Sequence, residues 1–123
     1  MNYENQKIDV GMKLIYVASP YAGDVEANVR YAEAACRYVM DKGHAFFAPH
    51  LLYPAILDDS VPSERALGMA MGILILGKCD ELWAFGNRIS SGMKAELEEA
   101  VRLGIPVKRI YLPECASNGR ACA

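Results

Sequence analysis

Two rhythms of apolar residues alternate along the chain. Near-continuous apolar stretches rich in β-formers, KLIYVAS (13–19), HAFFAP (44–49), DELWAFG (80–86) and PVKRIYL (106–112), predict four strands. The first has no polar alternation, as expected of a strand covered on both faces. Between them the period lengthens to that of a helix. Residues 25–42 place Val29, Ala32, Cys36, Val39 and Met40 on one stripe, with Gly43 as the stop. Residues 63–78 predict a second helix, and 91–103 a third, closed by Gly104. HLLYPAILDDSVP, with two prolines, predicts a long irregular connection.

Strand–helix alternation implies right-handed crossovers and a parallel sheet. The expected fold class is α/β, a small doubly wound (flavodoxin/Rossmann-like) domain with four strands in the order 2-1-3-4 and helices on both faces. It occupies residues 13–112, between a lead-in at 1–12 and a tail at 113–123. Such sheets bind ligands beyond the carboxyl ends of the strands, where the strand order reverses. The loops to inspect are therefore SPYAG after the first strand, PHLLYP after the second and GNRISSG after the third.

Residues 66–76 are apolar nearly all round. Such a helix is either covered by the 51–62 connection or forms a subunit interface, which makes a homo-oligomer, dimeric or larger, the expected state.

Length and composition add limits. A chain of 123 residues suits one domain, and a net charge of −2 offers no electrostatic grip on a nucleic acid polymer or an anionic membrane. The longest apolar run, residues 66–77, is too short to span a bilayer, and the N-terminus lacks a signal-peptide core. Cys36, Cys79, Cys115 and Cys122 form no C-x-x-C and no ligand group with His44 or His50. No metal and no cofactor is expected, and unpaired thiols point to a cytoplasmic setting.

The chemistry concentrates in NRISSGMKAELEEA, residues 87–100. At about 100° per residue, Met93, Leu97, Ala100, Val101 and Gly104 share the face that must meet the sheet. Glu96 falls at its border. Glu98 has Lys94 and Arg102 at four residues, and Glu99 has Arg102 at three, so both are ordinary surface pairs. Glu96 has no such cation. Partial desolvation should raise its pKa, leaving it either a border-lining residue or a reagent. Asn87, Arg88, Ser90, Ser91 and Gly92 lead into the helix and form a candidate anion site at its N-terminus. One serine suffices as N-cap; Ser91 is the more natural cap, which leaves Ser90 for a ligand.

Taken together, LIYVASPYAG, the PH after the second strand, CDELWAFG and SSGMKAELEEAVRLGIPV resemble the nucleoside 2-deoxyribosyltransferase-like family, above all its small single-domain bacterial and phage members. The likeness covers residues 12–111 and is strongest in Ser90-x-Gly92-x-x-x-Glu96. It implies that Glu96 is the nucleophile at the anomeric carbon, that Ser90 binds phosphate where the substrate is a nucleoside 5'-monophosphate, and that the subunits assemble as dimers or larger. The implied activity is N-glycosidic cleavage (an N-glycosidase, a hydrolase) or transfer between bases, with a small nucleoside or nucleotide as partner. A non-catalytic nucleotide-binding module is the alternative. The family carries an aspartate in or near the helix before the third strand. That helix has no acid here, so Glu64 near its start, or Asp58 or Asp59, is the substitute; Asp80 stands at the wrong end of its strand. Ser19 and Tyr21 in the first loop and His50 after the second strand are expected to contact the substrate, Tyr21 as a stacking wall and His50 as a donor. Asn28 is expected to hold the first loop.

Overall fold

The computed structural model describes residues 11–113, and the expected lead-in and tail, with Cys115 and Cys122, lie almost wholly outside them. Four parallel strands, β1 (Leu14–Ala18), β2 (Ala45–Phe47), β3 (Glu81–Phe85) and β4 (Val107–Ile110), stand in the order β2-β1-β3-β4. The crossovers are α1 (Val25–Asp41), α2 (Pro49–Leu52) with α3 (Pro62–Leu76), and α4 (Ser91–Leu103). The fold is the expected doubly wound sheet.

The central strand β1 is buried on both faces, and strand parity sorts its side chains. Ile15 and Val17 join Tyr31, Ala35, Cys36, Val39, Trp83 and Phe85 beneath α1. Tyr16 and Ala18 join Leu76, Leu82, Ala84, Met93 and Ala100 beneath α3 and α4. The two-residue period of a strand therefore sends Tyr16, the one side chain of β1 with a polar tip, to the face that carries α4.

Three local expectations are corrected. The 50–62 connection is not irregular throughout: Pro49 at N1 starts α2, and a 3₁₀ turn follows at Tyr53–Ala55. On α1 the buried stripe is Tyr31, Ala32, Ala35, Cys36 and Val39, while Met40 is exposed. On α4 the buried residues are Met93, Glu96 and Ala100, and Val101 is 72% exposed. Hydrophobicity favoured a face containing Val101. The real face is turned toward Glu96, because α4 meets both the sheet and the side of α3.

The helix ends follow their chemistry. Asp24 caps α1 by accepting from Ala27 N at 3.1 Å, and Gly104 closes α4 in the left-handed region at φ 73°. Helix α3 is fastened mainly at its C-terminal half, through Gly72 and Leu76, whereas Leu67, Met69 and Leu74 lie exposed. The connection before α3 meets it near Gly68, where Leu57 rests, and at its first turn, where Glu64 accepts from Asp58 N. No helix among the described residues is long and apolar enough to cross a membrane.

Candidate active site

A pocket of about 170 Å³ opens between the loops that follow β1 and β2, the N-terminal turns of α3 and the start of α4. Glu96, Tyr21, His50, Glu64, Ser90, Ser91 and Gly92 all line it, and these residues come from four separate segments. Asn87 and Arg88 do not line it and are exposed. Ser19 is buried behind the wall rather than in it. Arg65 of α3 lines the pocket instead, and no reading of the sequence singled it out.

Glu96 is 4% exposed, a carboxylate enclosed as completely as a core residue. Its Oε2 accepts a hydrogen bond from the Tyr16 hydroxyl at 2.5 Å, and its Oε1 has no partner. Burial raises its pKa to about 7, and the Tyr16 bond opposes that rise by favouring the charged form. The direction is the one expected from the sequence. Burial, the Glu96 charge and the shared hydrogen bond push Tyr16 far above the ordinary phenol range, so it remains a donor. One carboxylate oxygen is thus held and the other is buried without a hydrogen-bond partner, on a residue that lines the pocket.

Tyr16 is a second pocket residue that the sequence did not single out. The available signal was small: a tyrosine within LIYVA, whose hydroxyl needs a partner in a strand covered on both faces. Its partner is 80 residues away in the chain.

The capping serine is Ser90 rather than Ser91. Ser90 is the N-cap of α4, its Oγ accepting from Met93 N at 3.2 Å, and Ser91 is the first helical residue. The cap follows from backbone shape, since Ser90 is extended (φ −75°, ψ 168°) whereas Ser91 has entered the helix. Among the other glutamates, Glu99 forms a bidentate ion pair with Arg102, and Glu98 is exposed. Glu64 Oε1 accepts from Asp58 N at 2.8 Å, which ties the connection to the first turn of α3 at the pocket. Asp80 accepts from Leu14 N, at the end of β3 remote from the pocket.

The remaining wall is aromatic. Tyr21 and His50 stack with centroids 5.1 Å apart and planes at 26°. Burial lowers the His50 pKa, partly offset by a backbone hydrogen bond to Ser19 and the charge of Asp59. His50 is therefore a neutral ring near pH 7. The Asn28 amide donates to Tyr21 O at 2.9 Å and Ala22 O at 3.0 Å, holding the first loop in place. Among the described residues no group of three or more His, Cys, Asp or Glu could hold a metal ion.

The model of a family described as Domain of unknown function (DUF7768) matches residues 13–110. No curated protein matches the chain. Among solved structures, the chain is similar to the 2-deoxyribosyltransferase of the psychrotolerant bacterium Bacillus psychrosaccharolyticus, at 21% identity and TM-score 0.66 over 80% of this chain and 72% of that one. It is also similar to a conserved protein from Enterococcus faecalis V583, at 27% identity and TM-score 0.59 over 87% of this chain and 69% of that one. The first likeness establishes a shared fold; chemistry must be argued from the pocket.

Proposed function

Because the chain belongs to this family, the Domain of unknown function (DUF7768), whose description states no activity, we propose a function from its pocket: cleavage or transfer of the N-glycosidic bond of a (deoxy)nucleoside or nucleoside 5'-monophosphate, with Glu96 as nucleophile. The observation that carries it is the buried Glu96 carboxylate at the pocket wall, with Oε2 held by the Tyr16 hydroxyl and Oε1 without a hydrogen-bond partner. The shared fold with a 2-deoxyribosyltransferase supports a related glycosyl transfer.

In this reaction Glu96 Oε1 attacks the anomeric carbon. The carbon–nitrogen bond breaks, its electron pair leaves with the base, and a ring nitrogen of the base takes a proton. Water then opens the glycosyl ester (hydrolysis), or a second base does (transfer). Tyr21 and His50 offer a flat wall for the base. The proton comes from solvent by way of Glu64, Asp59 or His50, which share the pocket, and Ser91 and Gly92 offer backbone N–H groups at the α4 N-terminus to sugar or phosphate. A non-catalytic nucleotide-binding module is the second reading. It is favoured by Glu64, one of whose oxygens is committed to Asp58 N.

Incubation with a panel of nucleosides and 5'-monophosphates is expected to release free base, seen by chromatography, and to release none with Glu96→Ala. Undiminished release by Glu96→Ala would remove the nucleophile. A monophosphate that raises the melting temperature without any turnover would favour the binding module.

We propose a homo-oligomer through α3, on the strength of its exposed Leu67, Met69 and Leu74, and a cytoplasmic setting, on the strength of the free thiols of Cys36 and Cys79. Light scattering is expected to give at least twice the monomer mass, and Leu67→Glu with Leu74→Glu to lower it to the monomer. An unchanged mass in that variant would move the interface elsewhere.

A further inference from the structure

Resting on the reading of Glu96 as nucleophile, we infer that Gly72 of α3 is a positioning residue for the reactive carboxylate, its bare backbone leaving the space in which the Tyr16 hydroxyl stands to hold Glu96. A Cβ built on Gly72 would lie 3.0 Å from the Tyr16 oxygen. Gly72 is buried and its conformation is that of an ordinary helix, so what a side chain there would strain is this neighbour and not the backbone. Helix propensity on its own favours alanine over glycine in a helix interior.

Tyr16 is anchored by its strand, although it also lines the pocket. It is 1% exposed and sits in the central strand, paired with Phe47 on one side and Leu82 on the other. Its ring is backed by Phe47, 5.7 Å between centroids. Its hydroxyl is confined between Gly72 and Glu96 Oε2. A methyl group at position 72 therefore presses on the atom that makes the 2.5 Å bond to the carboxylate. The same pocket wall continues to Gly68, one turn earlier, where a Cβ would meet only the tip of Leu57, at 3.2 Å. The two glycines thus differ in what they protect: Gly68 borders a flexible side chain, and Gly72 borders the carboxylate's hydrogen-bond donor.

The titratable and charged groups that line the pocket with Glu96 are Tyr16 from β1, Tyr21 from the loop after it, His50 and Tyr53 from the segment after β2, and Asp59, Glu64 and Arg65 from α3 and the loop before it; Cys79 acts on Tyr16. Tyr16 is the one that reaches Glu96 by a direct hydrogen bond. Loosening that bond weakens the group that favours the charged form, so Glu96 should titrate at higher pH.

The test follows the Glu96 carboxyl carbon by NMR as pH is varied, a readout that needs no substrate and stands or fails apart from the glycosidase reading. Gly72→Ala is expected to move the Glu96 midpoint up by about one pH unit, a tenfold change in the protonation equilibrium. In the Tyr16→Phe background, where no hydroxyl remains to be displaced, adding Gly72→Ala is expected to move it no further. An unmoved midpoint in Gly72→Ala, with α3 yielding instead of Tyr16, would overturn the inference, as would equal shifts in both backgrounds. If Gly72→Ala alone fails to fold, recovery of folding in Tyr16→Phe/Gly72→Ala supports the contact, and failure of that double variant overturns it.

Discussion

Glu96→Gln is expected to abolish base release and at the same time to stabilise the protein at pH 8. Loss of the nucleophile should cost on the order of 10³-fold or more in turnover, because the remaining pocket can bind and orient but cannot form the glycosyl ester. The stability effect has the opposite sign. The Glu96 pKa is raised by burial from 4.5 to about 7, so between those values the native state binds a proton that the unfolded state has released. Stability therefore falls as pH rises through this window, and the whole cost is present above pH 7. The gap corresponds to about 3 kcal/mol. Glutamine keeps the shape and can still accept from Tyr16, so most of that cost should vanish, about 2 kcal/mol. Thermal melts should show Glu96→Gln above the wild type by about 5–10 °C at pH 8, with the two converging near pH 4.5. A variant no more stable than the wild type at pH 8 would mean that the buried carboxylate carries no such penalty.

Tyr16→Phe is expected to shift the acid limb of the pH–rate profile upward by about one unit and, through that shift, to lower turnover at pH 7 about fivefold. The hydroxyl favours the charged carboxylate, and a hydrogen bond to a charged group is stronger than a neutral one. Without it a larger fraction of Glu96 is protonated at pH 7, and a protonated carboxyl is a poor nucleophile. At pH 9 the titration effect should disappear, leaving only the loss of orientation. A loss of the same size at pH 7 and pH 9 would assign Tyr16 to orientation alone, and an unaltered profile would detach it from the chemistry.

Much of this site was legible before any fold was known, and the two rhythms of the chain explain why. Glu98 and Glu99 have cations at helical spacing, and Glu96 has none, a contrast that needs only local geometry. The strands, their order and the loops at their carboxyl ends follow from alternation and handedness. Local pattern failed where two faces competed. It placed Val101 inward and Glu96 at a border, whereas α4 turns the other way and buries Glu96 between the sheet and α3. It proposed Arg88 for the pocket because Arg88 is close in sequence to Ser90, whereas Arg65, 25 positions earlier, is the arginine that lines it.

The sequence by itself determined what short-range periodicity and backbone chemistry can carry: a four-stranded doubly wound sheet, the helix that begins after GNRIS, and one glutamate without a local partner. Only the tertiary structure decided that this glutamate is enclosed, that its partner is Tyr16 on β1, and that Gly72 on α3 leaves room for both. The reason is physical. Spacing along a helix or strand sets which residues share a face, but Tyr16, Gly72 and Glu96 belong to three elements, and their contact exists only when strand parity, helix rotation and close packing are settled together.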